Sequence, residues 1–137
     1  MGRAHGADVL PQAVAETRPK AIVVTNLFRD QLDRYGEVDY VAGLWRAAFA
    51  NLPPSAVAIL NADDPLVASL GEHTRAAVLY YGIEDPRYGS PRIQHATDSA
   101  RCRKCGLPFQ YEVAYFSHMG RYSCPRCGLT RPRPAVY

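Results

Sequence analysis

The chain has 137 residues, 47 % of them apolar and 21 % charged, which suits one globular domain with a real core. Its formal charge of +3 is too mild to demand a nucleic-acid partner, and no stretch reaches the roughly 20 apolar residues that span a bilayer. The first residues, Met1 to Gly6, lack the apolar run of a secretory signal, so the expected setting is cytoplasmic.

The pattern then alternates helix and strand. Ala7 to Thr17 reads as a short helix with Val9, Leu10, Ala13 and Val14 on one face and Pro11 in its first turn. Lys20 to Thr25 holds an unbroken apolar run of the kind buried on both faces of a parallel sheet. From Glu37 to Asn51, Val38, Val41, Leu44, Trp45, Ala48 and Phe49 recur at helical spacing until Pro53 and Pro54 stop them. Trp45 lies on that apolar face and reads as core.

Ala56 to Leu60 is a second strand, and Ala76 to Tyr81 a third. Between them, Asp63 or Asp64 can cap a short helix whose first turn accepts Pro65. Strands separated by single helices imply a parallel, partly doubly wound α/β sheet over residues 1–83. Residues 84–100 read as a linker, and 132–137 as a tail too rich in proline for a helix.

Residues 101–131 have a different character. Cys102-Arg103-Lys104-Cys105-Gly106 and Cys124-Pro125-Arg126-Cys127-Gly128 are two copies of one local device. Two intervening residues let both thiolates of a turn face one ion, and the following glycine permits the tight backbone behind the second sulfur. The 18 residues 106–123 leave room for a hairpin of alternating Phe109, Tyr111, Val113 and Tyr115, turning at Ser117 to Gly120. Four sulfurs complete a tetrahedron around zinc with no place for water, so Cys102, Cys105, Cys124 and Cys127 are expected to hold a structural ion. Two disulfides or a redox pair are the competing readings of the same cysteines. Arginines around the ribbon, with Tyr111, Tyr115, Phe116 and Tyr122, leave open a non-catalytic module binding nucleic acid or protein; equally, the aromatics can form the ribbon core. The four histidines are scattered and read as surface residues.

Thr25 to Glu37 concentrates Asn26, Arg29, Asp30, Gln31, Asp33, Arg34 and Glu37 at a strand end, where ligands sit in doubly wound folds. Such a cluster can serve a magnesium ion or a nucleotide phosphate. Asp30 and Asp33 can equally well cap turns, with the arginines pairing them.

Thr25-Asn26-Leu27-Phe28-Arg29-Asp30-Gln31-Leu32-Asp33-Arg34-Tyr35-Gly36-Glu37 resembles the signature of the central domain of Mur ligases, in the wording of the MurT subunits of lipid II isoglutaminyl synthase. Leu60-Asn61-Ala62-Asp63-Asp64-Pro65 is similar to the second landmark of that domain. A cysteine ribbon after the next strand is a MurT feature, and Tyr122 to Gly128 with Arg131-Pro132 read the same way. The resemblance implies an ATP- and magnesium-dependent activation of the D-glutamate α-carboxyl of lipid II, with ammonia supplied by a GatD-type amidotransferase. It assigns Asn26, Asp30 and Gln31 to the nucleotide–magnesium side, Asp30 holding a metal-bound water and Gln31 bonding a metal ligand. Asn61 and Asp63 are expected to cap and brace the strand-to-helix turn. The sequence contains no Gly-x-x-x-x-Gly-Lys-Ser/Thr phosphate loop. Asp8 is the one carboxylate where the family has a glutamate, Gln31 stands where other Mur ligases have histidine, and Arg46 lies where several have a modified lysine. The chain is thus expected to be a fragment of the central domain, not active by itself; an inactive structural remnant is the further alternative.

Overall fold

In a computed structural model the residues described are 6–27, 37–91 and 100–137. The order is α1 (Gly6–Thr17), β1 (Ala21–Val24), α2 (Glu37–Ala50), β2 (Val57–Asn61), α3 (Pro65–Ser69), β3 (Ala77–Tyr81), then β4 (Gln110–Phe116) and β5 (Met119–Ser123). Pro11 falls inside α1 and not in its first turn, so the helix forgoes one backbone bond there. Arg18, at φ 46°, closes it ahead of Pro19.

The first three strands form a parallel sheet in sequential order, with Val23 beside Ile59 and Ile59 beside Leu79. Ile22, Val24, Ala58, Leu60, Val78 and Tyr80 pack against Val14 of α1, Val41, Trp45, Ala48 and Phe49 of α2, and Val67 of α3. Phe49, Leu60 and Val67 are fully buried. Side chains alternate across a strand, so Val23, Ile59 and Leu79 share the other face. Val23 is 58 % and Leu79 45 % exposed. The apolar runs expected to be buried on both faces are therefore covered on one only among the described residues. A run of β-branched and apolar residues records the capacity to be covered, not the presence of the cover.

Two pieces of chain from beyond β3 return to the first unit or to the hairpin. Ala135 donates its amide to the Tyr80 carbonyl at 2.7 Å, and Gly82 donates to Val136 at 3.2 Å, so the tail lies parallel to the end of β3. Ser90 exchanges both backbone bonds with Ala114 of β4, at 2.7 and 2.8 Å. The hairpin β4–β5 turns through Ser117, at φ 49°, and His118. Its register slips twice, between Tyr111 and Val113 and between Ala114 and Phe116. Such bulges defeat the simple alternation read from the sequence: Val113 and Ala114 are both buried, while Phe116 is 65 % exposed.

Candidate functional site

The cysteines lie on two turns built alike. The Cys102 amide donates to Leu107 at 2.8 Å and Gly106 donates back to Cys102 at 2.8 Å; Cys124 donates to Leu129 at 2.7 Å and Gly128 to Cys124 at 3.3 Å. Gly106 and Gly128 take φ of 73° and 75°, a left-handed conformation that costs other residues free energy. The four Sγ atoms lie within 4.8 Å of one another, with Cys102–Cys127 at 3.4 Å and Cys105–Cys124 at 3.3 Å. A tetrahedron with metal–sulfur bonds of about 2.3 Å has edges of about 3.8 Å, and the sulfur spacings bracket that value, so this donor set suits one ion. All four thiols are free, which removes the disulfide reading, and none opens a helix as a thioredoxin-type pair would.

The thiols are not equivalent. The Cys127 and Arg126 amides aim at the Cys124 sulfur and, against its burial, pull it down to about 6. Burial raises Cys102, but amides of Cys105 and Lys104 outweigh it and the net direction is down. The Leu107 amide favours the Cys105 thiolate, yet the neighbouring sulfurs of Cys124 and Cys102 push it up to about 11. Cys127 moves up for the same reason.

The ribbon core consists of Ala100, Phe109, Tyr122, Cys102 and Cys124, with the Phe109 and Tyr122 rings 4.8 Å apart. Burial drives the Tyr122 phenol far above its ordinary range, so it stays neutral. With Tyr122 buried and Tyr111 packed on that core, these two are not offered for base stacking. Several basic groups are also engaged: Arg103 with Glu72, Arg121 with Glu84, and Arg131 with Asp63 and Glu84.

The segment Asn61-Ala62-Asp63-Asp64, which ends β2 and leads into α3, meets the chain after β1, the hairpin tip and Arg131. The N-cap of α3 is Asp64, not Asp63: its Oδ1 accepts from the amides of Leu66 at 3.0 Å and Val67 at 3.3 Å. Its Oδ2 accepts from the Leu27 amide at 2.9 Å and lies 3.1 Å from Nε2 of His118. Asn61 accepts from the Asp63 amide at 2.9 Å and donates to the Thr25 carbonyl at 2.8 Å, with Met119 Sδ 3.6 Å away. Asp63 instead receives Nε of Arg131 at 2.7 Å and the Ile83 amide at 2.9 Å, and its carbonyl takes the Gly120 amide at 2.9 Å. Burial raises the Asp63 carboxyl despite those donors. Glu84 is held low, first by its hydrogen bond from Arg131. A Cβ at Gly82 would sit 2.7 Å from Arg131 and 2.9 Å from Asp63, so only glycine lets this clamp close.

Of the residues expected at the ligand-facing loop, Asn26 stands at the carboxyl end of β1, half-buried, with Nδ2 3.3 Å from the Thr25 hydroxyl. Asp30 and Gln31 lie outside the described residues. His118, expected at the surface, is 6 % exposed and paired with a fully buried carboxylate. Its signal was its place in a two-residue hairpin turn, and nothing in the sequence tied that turn to Asp64.

No helix among the described residues is long and apolar enough to cross a membrane. The chain is 32 % identical over 124 residues to the MurT subunit of lipid II isoglutaminyl synthase of Staphylococcus aureus strain COL, covering 89 % of this chain and 27 % of that protein. It is 30 % identical over 115 residues to the MurT subunit of Streptococcus pneumoniae R6, covering 84 % of this chain and 25 % of the other. It thus spans about a quarter of the length of these relatives. A pseudomurein peptide ligase type C from Methanothermus fervidus superposes with a TM-score of 0.71 at 28 % identity, over 92 % of this chain and 24 % of that one. The pattern of the Mur ligase middle domain matches residues 4–123, and with the parallel sheet and its loops already in place, the chain belongs to that family.

Proposed function

We propose that this chain is the central α/β portion of an ATP-dependent, MurT-type ligase subunit with a structural zinc ribbon over residues 101–131. In that role the parent enzyme works in the cytoplasm on the D-glutamate α-carboxyl of lipid II. The γ-phosphoryl of ATP passes to a carboxylate oxygen; ammonia from a GatD-type glutaminase then attacks the carbonyl carbon, and phosphate leaves as the amide forms. Catalysis of this kind rests on positioning and charge neutralisation, which magnesium supplies when bound. Asn26, Asp30 and Gln31 line the nucleotide–magnesium side, and Cys102, Cys105, Cys124 and Cys127 hold zinc, which contributes folding free energy and no open coordination position.

The observation that carries the reading is the place of Asn26. It leaves the carboxyl end of β1, at the edge where parallel α/β sheets bind ligands, held on both sides by Asn61 and Asp64. A nucleic-acid module is less well supported, because Arg103, Arg121 and Arg131 are spent on ion pairs. Two-dimensional NMR of the chain titrated with magnesium-ATP separates the readings. Shifts at Thr25, Asn26 and Leu27 that vanish in Asn26→Ala are expected. No response at millimolar magnesium-ATP, with shifts at Lys104 and Arg126 on adding single-stranded RNA at low salt, would replace the ligase reading by the nucleic-acid one.

A further inference from the structure

The loop carrying Asn26 is tied down at two points, and both ties run through side chains touched by the hairpin tip. The Thr25 carbonyl accepts from Asn61, and the Leu27 amide donates to Asp64, so the anchors are the residues directly before and after Asn26. Asn61 has Met119 Sδ at 3.6 Å, and Asp64 has His118 Nε2 at 3.1 Å. Met119 and His118 are adjacent, at the turn between β4 and β5. The tip is itself braced, since the Tyr111 hydroxyl donates to the His118 carbonyl at 2.6 Å and the Gly120 amide donates to the Asp63 carbonyl at 2.9 Å.

The chemistry at Asp64 makes the contact directional. The carboxylate is fully buried, and Oδ1 already serves two amides at the start of α3. Oδ2 is left for Leu27 and His118 together. An imidazole 3.1 Å from a fully buried carboxylate oxygen leaves that oxygen little room to rotate, so it stays aimed at the Leu27 amide. Without His118 the carboxylate keeps its cap on α3 but loses the group that fixes Oδ2.

We propose that His118 and Met119 are positioning residues for the Asn26 loop, acting through Asp64 and Asn61, so that folding of the ribbon sets the order of the ligand-facing loop some 90 residues earlier in the chain. The coupling stands on these hydrogen bonds and on the His118–Asp64 contact. Its consequence for a nucleotide rests on the function proposed, and the test is therefore made without nucleotide.

Amide hydrogen exchange is followed residue by residue in the full chain, as wild type, His118→Ala, His118→Gln and Met119→Ala. In His118→Ala the Leu27 amide is expected to exchange at least about tenfold faster, while Gly106, Gly128 and the β2 amides keep their protection. His118→Gln, which restores a polar side chain of similar reach beside Asp64, recovers most of the lost protection, and Met119→Ala has a smaller effect. Leu27 exchange within about twofold of wild type in His118→Ala overturns the proposal. So does a uniform rise at every amide with no recovery in His118→Gln, because that describes general destabilisation. Failure of magnesium-ATP to bind would leave these rates unchanged and bears on the ligase reading alone.

Discussion

The α/β unit and the ribbon are of different physical kinds. In the first, Phe49, Leu52, Leu60 and Val67 are all at 2 % exposure or less, packed between three helices and one face of a sheet. In the second, the buried cluster is Ala100, Phe109 and Tyr122 with two of the cysteines themselves. One unit hides enough hydrocarbon to hold its shape; the other has the Phe109 and Tyr122 rings with Tyr111 packed on them, a few small side chains and a set of sulfurs. The lesson is that a single chain can draw its order from two sources, and perturbations should separate them.

The largest separation is expected from a crossed pair of changes. Cys102→Ser, or a strong chelator, removes a ligand set that fits one ion, and a hairpin with so little apolar surface should lose its protection against hydrogen exchange altogether. The β1–β2–β3 amides should stay protected. Phe49→Ala does the reverse, costing the α/β unit about 3–5 kcal/mol through lost burial and an unfilled cavity while leaving bound metal per chain unchanged. Elemental analysis with urea unfolding checks both arms. A Cys102→Ser variant with an intact, protected hairpin would show that the rings suffice and that the contrast is false.

The clamp between the two units offers a smaller and sharper test. Arg131 is 9 % exposed and meets Asp63, 5 % exposed, and Glu84. Removing the cation by Arg131→Ala leaves a buried carboxylate with the Ile83 amide as its remaining donor named above, and should cost roughly 3 kcal/mol. The two acids then move in known senses. Glu84 is depressed, so its share of stability is present above its ordinary range and lost as pH falls through the lowered value. Asp63 is raised by burial, so its contribution is fully present below its ordinary range and lost as pH rises through the raised value. In Arg131→Ala, Glu84 should return toward its ordinary value and Asp63 should climb further, followed by carbon NMR of the two carboxyls. Either carboxyl staying where it is, or moving down, would break this account of the clamp.

How much of this the sequence carried follows from range. The three strands, the helices and the paired cysteines were legible because each rests on residues within a few positions: an apolar run, a helical period, a Cys-x-x-Cys-Gly turn. The loop Asn61 to Asp64 was legible as a capping element, but the division of labour within it was not. Asp63 and Asp64 are neighbours with similar local prospects, and the tertiary partners decide between them: Arg131 from 68 positions away for one, Leu27 from 37 positions away for the other. His118 fails for the same reason, since a histidine in a turn looks exposed until another element folds over it. The double bulge in β4 is likewise invisible to a period-two pattern, because it is imposed by pairing with β5.

The finest distinction lies within the cysteine cluster. The two turns match in sequence and in backbone, yet their sulfurs alternate in acidity, Cys124 near 6 and Cys105 near 11. Each metal-bound cysteine must be a thiolate, so binding releases only the protons that the free protein still holds. At neutral pH Cys124 has already lost its proton, while Cys105 and Cys127 retain theirs. Zinc binding to the reduced chain should thus release fewer than four protons, and the number should rise toward four as the pH is lowered through 6. Calorimetry in buffers of different ionisation enthalpy counts them directly. Four protons at neutral pH would mean that the amides of Arg126 and Cys127 do not favour the Cys124 thiolate, and that the two turns are as alike in chemistry as in shape.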